Sequence, residues 1–216
     1  MASLWNLSRW SLRLDALGNR ARFAWLRHRL AGRVDFGPGC EVWAENLLYR
    51  GRGRAVFGPG CAVDRNPFPS LLDIEEDGLV QLRDECWLRG KYRPNVLTCF
   101  EHARITIGPG SILNGVIISA RDAVTIGERA MLSWDVTITD CNLHPLANGD
   151  PIAVRPLTIG DHVWIGAGAF LLPGASIGAH SVIGARSVVL SPIPDHVLAA
   201  GNPARVIRQL GDRDHC

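Results

Sequence analysis

The sequence has little net charge: 23 lysines and arginines against 21 aspartates and glutamates leave +2 over 216 residues. A chain this close to neutrality has no global field that would attract nucleic acid. The Arg-Gly-Arg-Gly-Arg run at residues 50–54 is too short for a nucleic-acid segment, and a solvated turn is the better interpretation. We therefore expect no nucleic-acid partner.

A paired-cysteine pattern is also missing, since the six cysteines contain no CxxC. Cys40, Cys61 and Cys86 each stand four positions after a large apolar residue. In the repeat described below this is a small inward position, where cysteine acts as a compact apolar filler. We expect reduced, structural thiols in a cytoplasmic protein.

Signals for export and for membrane insertion are absent as well. Trp, Arg and Asn are scattered through the first twenty residues, which does not fit a secretory signal. Residues 163–185 contain no Asp, Glu, Lys or Arg, but glycines and Pro173 interrupt them. Because their apolar residues recur every six positions instead of forming a continuous apolar cylinder, we expect no transmembrane helix there.

What the sequence does have is a six-residue repeat near its C-terminus. Large aliphatic residues recur every six positions, and a small or β-branched residue follows each of them by four. The first set is Ile159, Ile165, Leu171, Ile177, Ile183 and Val189, and the second is Val163, Ala169, Ala175, Ser181, Ser187 and Ile193. A period of six fits neither a helix nor a simple hairpin, and it is typical of a parallel β-helix in which three short strands make one coil.

The repeat extends irregularly toward the N-terminus. Near-copies of Phe-Gly-Pro-Gly-Cys begin at Phe36 and Phe57, which corresponds to one coil of about eighteen residues plus a short insertion. Residues 64–70 and 91–103 interrupt the pattern, and so does the proline-containing segment 142–156. A loop that interrupts a regular scaffold usually carries function.

These patterns divide the chain into three parts. Residues 1–33 form an amphipathic segment, predicted to be helical over 3–30; residues 34–196 form the β-helix domain; and residues 197–216 form a C-terminal cap and tail. We expect residues 203–210 to form a short helix or turn over the last coil, whose strand edges would otherwise be unpaired. For the N-terminal helix we favour a cap on the first coil; the alternatives are contact with an anionic membrane surface and packing in an oligomer.

Residues 157–210 resemble the hexapeptide-repeat acyltransferases. The run from Leu157 to Gly166 is similar to that family's signature coil, and Gly201-Asn-Pro-Ala-Arg-Val-Ile-Arg is similar to its C-terminal segment. The run from Val136 to Pro145 is similar to the segment that bears the family's catalytic histidine. The nearest subgroup is the galactoside, maltose and nodulation-factor O-acetyltransferases, with their surface-polysaccharide relatives.

The resemblance implies a left-handed parallel β-helix, a homotrimer, acetyl-CoA as the donor and an active site in a groove between two subunits. With the terminal segments added, the expected fold is all-β: a left-handed parallel β-helix with a short N-terminal helix and a short C-terminal helical cap.

His144 corresponds to the family's catalytic base. A neutral imidazole suits removal of a hydroxyl proton as the oxygen attacks a thioester carbonyl. Direct transfer is expected, since no Ser or Cys nucleophile with an adjacent base stands out. Asp140 has two open roles: it orients the imidazole, or it caps the end of a strand as a turn residue.

Asn114 and Trp164 are the expected substrate contacts. Asn114 matches the family asparagine that contacts the acceptor sugar, and an amide can both donate and accept; the alternative is that asparagine is present because it tolerates a left-handed corner. Trp164 is expected to point outward into the pantetheine or acceptor groove, with a contact between subunits as the alternative.

CoA is expected along the edge of the coil. Gly166, Ala167 and Ala185 allow close backbone approach, and Arg205 and Arg208 match the family's basic pair near the CoA phosphates; solvated surface arginines are the alternative. The chain has Leu-Ser where relatives commonly have Thr-Lys, so one phosphate contact is missing.

His162 and His180 are eighteen residues apart, as are His144 and His162, so their side chains should stack on successive coils. The related γ-class carbonic anhydrases bind zinc through histidines of which two are five residues apart, and this chain has no HxxxxH. We interpret His162 and His180 as exposed corner residues and expect no metal.

These features favour a cytoplasmic acetyl-CoA-dependent O-acetyltransferase that acts on a sugar hydroxyl of a glycan, a polysaccharide precursor or a small saccharide. Lipid contact through residues 3–30 would place it at the inner membrane face. The alternatives are an N-acyltransferase acting on an amino sugar or nucleotide-sugar, and a non-catalytic β-helix scaffold. Acceptor contacts are expected in loops such as 64–70 and 91–103, because specificity lies in the site and not in the scaffold.

Overall fold

A computed structural model describes residues 4–145 and 147–213, with side chains from residue 17 onward. Helix α1 spans Leu4–Arg29, and a 3-10 turn spans Ala44–Asn46. The strands that follow α1, up to the middle of the chain, are β1 (Val34–Phe36), β2 (Glu41–Val42), β3 (Leu47–Gly51), β4 (Arg54–Phe57), β5 (Ala62–Val63), β6 (Ser70–Ile74), β7 (Leu79–Leu82), β8 (Trp87–Arg89), β9 (Val96–Cys99), β10 (Arg104–Ile107), β11 (Ile112–Asn114) and β12 (Ile117–Ala120). The remaining strands are β13 (Ala123–Ile126), β14 (Met131–Leu132), β15 (Thr137–Thr139), β16 (Leu157–Ile159), β17 (Trp164–Ile165), β18 (Phe170–Leu171), β19 (Ser176–Ile177), β20 (Val182–Ile183), β21 (Val188–Val189), β22 (Val197–Gly201) and β23 (Ala204–Gln209).

The strands form a three-sided parallel solenoid. Sheet A contains β1, β4, β7, β10, β13, β16 and β19; sheet B contains β2, β5, β8, β11, β14, β17, β20, β22 and β23; and sheet C contains β3, β6, β9, β12, β15, β18 and β21. Parallel neighbours within a sheet are one coil apart in sequence, and Ile126, Ile159 and Ile177 lie in register above one another. The predicted parallel β-helix is therefore confirmed.

The inward columns of the coils make up the core. All twelve positions of the six-residue repeat over residues 159–193 are buried. Burying one large aliphatic side chain contributes roughly 1.5–3 kcal/mol, so a column of stacked isoleucines and leucines supplies much of the driving force for folding. The repeat thus reports which side chains face inward.

Small polar side chains fix the corner between sheets A and B. The hydroxyl of buried Ser111 donates to Gly127 O at 2.9 Å and accepts from the amide of Ala130. The thiols of Cys61 and Cys86 occupy the same column and donate to the carbonyls of Arg83 and Gly108. These inward cysteines therefore satisfy backbone carbonyls of the next coil in addition to filling space.

Cys99 provides a test of the structural role of the cysteines. Burial raises the pKa of the Cys99 thiol to about 11. Because the thiolate is the nucleophile, we expect native Cys99 to resist iodoacetamide at about pH 8 and to react after denaturation. Alkylation followed by peptide mass mapping measures this, and equal labelling of native and denatured Cys99 would contradict it.

The second half of α1 covers the first coil. Phe23 packs edge-on against Phe36 with ring centroids 5.1 Å apart, and Leu26 and Leu30 are buried. The Asn19 amide donates to Val42 O at 3.0 Å and accepts from the amide of Ala44. The capping role is confirmed for this half of the helix.

The first half of α1 contains the apolar residues Leu7, Trp10 and Leu14, whose side chains lie outside the described part of the chain. Among the described residues, no helix combines the length and the apolar character that a bilayer crossing requires.

The predicted C-terminal helix is wrong. Residues 204–209 form β23, which pairs antiparallel with β22. The last coil therefore ends in a hairpin that extends sheet B, so the edge of β22 is satisfied by a strand and not covered by a helix.

Candidate active site

The three corners of the coil divide the predicted site residues into groups. The AB corner follows the strands of sheet A, the BC corner follows those of sheet B, and the CA corner follows those of sheet C. Asn114, Ala167 and Ala185 lie at the BC corner, and Asp140 and His144 lie at the CA corner. Trp164 belongs to β17 on sheet B.

A β-bulge places the two predicted phosphate-binding arginines on one face. Arg205 and Arg208 are three residues apart in β23, which in a regular strand would put them on opposite faces. The register shifts between Leu198 and Ala199, so Arg208 lies opposite Leu198 and Arg205 lies opposite Ala200. Directly opposed residues share a face, and both arginines therefore lie on the outer face of sheet B.

Trp164 shares this outer face. It pairs in register with Val182, which pairs in turn with Leu198. Its side chain is 40% exposed, and its indole N–H donates to Ser133 Oγ at 3.1 Å. The outward orientation predicted for Trp164 is confirmed, and it lies on the same surface as the basic pair.

The small residues at the BC corner have different reasons for being small. A Cβ on Gly166 would lie 2.6 Å from the backbone nitrogen of Ala185, so packing of the next coil requires this glycine. Ala167 is half-buried and Ala185 is exposed, and they follow β17 and β20 on successive coils. Of the three, Ala167 and Ala185 offer an accessible edge, whereas Gly166 is buried.

Asn114 ends β11 two coils from Ala167, and its amide nitrogen donates to Leu132 O at 3.0 Å. The left-handed corner residue is Gly115, with φ of 62°, so tolerance of left-handed geometry does not account for Asn114. The described residues offer no hydrogen-bond partner to Asn114 Oδ1, which leaves an acceptor for a hydroxyl group. Asn114 lines a cleft of about 180 Å³, whose other lining residues are Arg89, Lys91, Tyr92 and Trp134.

His144 lies in the loop between β15 and β16, and its side chain is exposed. The base of this loop is closed by the pairing of Cys141 with Val154 and by the hydrogen bond from Asn142 N to Ala153 O at 2.9 Å. The closed base thus carries an exposed tip that contains His144. The predicted excursion from the repeat is confirmed.

Asp140 has the capping role, one of the two roles considered for it. The carboxylate is fully buried, and its two oxygens accept from the backbone amides of Arg121 and Asp122, each at 2.8 Å. Both oxygens are thus used by the turn of the previous coil. A role in orienting His144 stays a prediction.

One chain does not bring all the predicted residues together. The basic pair, Trp164, the small residues and Asn114 lie along sheet B and the BC corner, whereas His144 leaves the coil at the CA corner. A six-residue side at about 3.3 Å per residue separates adjacent corners by up to about 20 Å. A complete site would need the CA corner of one chain to meet the BC corner of another.

His162 and His180 lie at the AB corner with left-handed φ of 55° and 56°, as their spacing predicts. Their predicted exposure is wrong, since the His162 side chain is only 12% exposed. The rings of His162, His180 and His196 stack in parallel with centroids 4.8 Å apart, and Arg213 N donates to His180 Nδ1 at 2.9 Å. The folded-back C-terminal segment and the His196 ring cover the histidine side chains that the sequence predicted to be exposed.

Sequence reasoning missed two cleft residues, Arg89 and Trp134, and it included Lys91 and Tyr92 only as part of the loop 91–103. Trp134 is 49% exposed and Tyr92 is 56% exposed, with ring centroids 5.4 Å apart. The available signal was a large aromatic residue in the corner after Leu132, outside the inward positions of the repeat.

Comparison with known proteins identifies the repeat. The family described as "Bacterial transferase hexapeptide (six repeats)" matches residues 156–191. A galactoside O-acetyltransferase of Escherichia coli (strain K12) is 45% identical over 96 residues, which cover 42% of this chain and 46% of that protein. A galactoside O-acetyltransferase of Lactococcus lactis subsp. lactis (strain IL1403) is 32% identical over 139 residues, which cover 62% of this chain and 65% of that protein. The chain thus spans less than two thirds of the length of either relative.

Solved structures support the fold. A hexapeptide-repeat-containing acetyltransferase from Vibrio cholerae O1 biovar eltor, complexed with acetyl coenzyme A, has a TM-score of 0.50 and 22% sequence identity to this chain. The match covers 98% of this chain and 91% of that one. At this identity the likeness shows the three-sided β-helix alone.

Proposed function

We propose that this chain, which carries the hexapeptide repeat of the bacterial transferases, is an acyltransferase that moves an acetyl group from acetyl-CoA to a sugar hydroxyl. The observation that carries the proposal is the alignment of site residues along one side of the coil. The basic pair lies at one end, the open edge at Ala167 and Ala185 follows, and the cleft at Asn114 lies at the other end.

The outer face of sheet B suits an extended phosphorylated donor. Arg205 and Arg208 are exposed on the same face, and guanidinium groups bind phosphate through paired N–H donors. Coils rise by about 4.8 Å, so the three coils from Ala185 to Asn114 span about 14 Å. An extended donor bound to the arginines would therefore reach the cleft with its thioester end.

His144 supplies the base in the proposed reaction. As the sugar oxygen bonds to the acetyl carbon, His144 takes the hydroxyl proton. As the carbon–sulfur bond breaks, the imidazolium returns that proton to the departing sulfur, which leaves as the free thiol of CoA. Backbone N–H groups at the groove would stabilise the negative charge on the carbonyl oxygen.

A homotrimer is part of the proposal, because the His144 loop and the Asn114 cleft lie at different corners of one chain. Assembly of the CA corner of one copy against the BC corner of the next would complete three equal sites. Light scattering coupled to size-exclusion chromatography should give three times the chain mass.

The direct test is CoA release from acetyl-CoA with a panel of neutral, acidic and amino sugars. We expect acceptor-dependent release of free thiol and a product that carries one acetyl group as a base-labile ester. A base-stable amide would indicate N-transfer instead.

A saturating concentration of CoA, about 100 times its Kd, should stabilise the fold by about 2.7 kcal/mol. The absence of any thermal shift would favour a non-catalytic scaffold.

A further inference from the structure

Lys91 stands out in the cleft at the BC corner. It is the single lysine of the sequence, because the other 22 of the 23 lysines and arginines are arginines. The side chain is exposed at the rim of the cleft that Asn114 lines. Lysine carries a compact charge with three rotatable donors, whereas the guanidinium of arginine is planar and spreads its charge.

The charge of Lys91 is not offset by a neighbouring carboxylate. Arg89 Nε lies 3.6 Å from Asp64 Oδ2, and the Arg89 guanidinium lies 4.5 Å from the centre of the Trp87 ring. Arg93 Nε lies 3.1 Å from Asp135 Oδ1. Among the described residues, the Lys91 ammonium has no carboxylate within ion-pair distance and lies 5.3 Å from the centre of the Tyr92 ring. The cleft therefore keeps one positive charge.

Two aromatic rings and an amide complete the cleft. Tyr92 and Trp134 meet edge to face at an interplanar angle of 68°, and both are about half exposed. Exposed aromatic faces suit the apolar C–H face of a sugar ring, whereas Asn114 Oδ1 suits a hydroxyl group. A cavity of about 180 Å³ is small for a whole ligand and fits one sugar residue of a longer acceptor.

The backbone holds this arrangement in place. Buried Asn95 donates to Arg89 O at 3.2 Å and accepts from Val116 N at 3.1 Å, which links the first two of the three coils that carry the cleft. A Cβ on Gly115 would lie 2.7 Å from Arg93 O, so this glycine lets the loop after Arg89 close against the corner. The cleft is thus a built feature of three successive coils, with Trp134 supplied by the third.

We propose that the cleft selects an anionic saccharide, with the Lys91 ammonium paired to a carboxylate or phosphate of the sugar while Tyr92 and Trp134 contact its ring. This inference rests on the proposed acetyl transfer to a sugar and names the class of acceptor. A negatively charged group of the sugar would neutralise the Lys91 ammonium. Asp64 and Asp135 do not, because they pair with Arg89 and Arg93.

The first test compares kcat/KM for three matched acceptors, which are simple glycosides of glucose, glucuronate and glucose 6-phosphate. We expect the better of the two anionic acceptors to exceed the neutral one by about tenfold at low salt, and the advantage to shrink as salt is added. Comparison of the two anionic acceptors shows whether the cleft prefers a carboxylate or a phosphate. Equal kcat/KM for all three would overturn the inference while leaving acetyl transfer intact.

The variants Lys91→Met and Lys91→Arg localise the effect. We expect Lys91→Met to remove the preference by lowering kcat/KM for the anionic acceptor about tenfold more than for the neutral one, and Lys91→Arg to retain most of the preference. Arg52→Met is the matched control, because Arg52 is an exposed cation at the CA corner. Loss of the preference in Arg52→Met to the same extent would contradict a role for Lys91.

A second measurement does not depend on turnover. Because Lys91 is the single lysine side chain, its acylation by an amine-reactive ester can be followed by peptide mass mapping, separately from the terminal amine. Saturating glucuronate or glucose 6-phosphate should slow its labelling severalfold, whereas glucose should not. If no sugar is acetylated, the proposed function fails, and protection alone then decides the cleft: unprotected Lys91 overturns the inference, and selective protection supports it.

Discussion

His144→Ala should lower kcat by about 10²–10⁴-fold, the usual contribution of a positioned general base. The KM for acetyl-CoA should change little, because the proposed donor contacts lie on sheet B and at the BC corner, whereas His144 belongs to the CA corner. The melting temperature should not move, since the side chain is exposed and makes no hydrogen bond or ion pair with the described residues. Steady-state kinetics with a saturating acceptor measures the effect.

His102→Ala is the matched control for His144→Ala. His102 is also an exposed histidine at the CA corner, in the turn between β9 and β10, with 70% of its side chain accessible. We expect His102→Ala to keep the wild-type kcat. If His144→Ala retained more than half of kcat, or if both variants lost activity equally, His144 would not be the base.

Subunit mixing extends this test to the site between chains. Trimers that mix His144→Ala chains with chains altered at Asn114 should recover activity, because some interfaces would then combine an intact His144 with an intact Asn114. A site contained within one chain would give no recovery. This readout separates loss of the base from loss of an intact fold.

The fold was predictable because the repeat reports a local property, the direction of each side chain. Ile159, Val163 and Ile165 are buried for the same reason that they recur: a strand turns a corner every six residues. The C-terminal hairpin was not predictable in this way. Its residues 203–210 have no regular alternation, because the bulge at the register shift places Arg205 and Arg208 on one face.

The candidate site was predictable only where the chain keeps to its repeat. His162 and His180 follow the eighteen-residue spacing, whereas His196 joins the same stack after a shortened last coil. Lys91 and Trp134 are 43 residues apart and line the same cleft because three successive coils place them at one corner. Contacts of this kind depend on the register of the coils, which the spacing of the loops does not reveal.

Gly166→Ala should destabilise the fold by about 3 kcal/mol, at the upper end of the usual cost of overpacking. A Cβ there would lie 2.6 Å from Ala185 N and 2.8 Å from Ile183 O. Both are backbone atoms, and Ile183 O already accepts the Gly166 amide at 2.8 Å. The next coil would have to move away, which breaks pairing in sheet B. At roughly 2–4 °C per kcal/mol for a chain of this size, the melting temperature should fall by about 6–12 °C.

Gly18→Ala is the control, because a Cβ at Gly18 would have no heavy atom within 4 Å and the residue lies inside α1. Alanine is the better helix former by about 0.5–1 kcal/mol, so this variant should be unchanged or slightly more stable. Comparison at equal protein concentration is needed, since assembly makes the melting temperature depend on concentration. If Gly166→Ala melted like the wild type but bound CoA more weakly, the glycine would be a donor contact as the sequence suggested. A lower melting temperature without CoA present would assign it to the packing of one coil on the next.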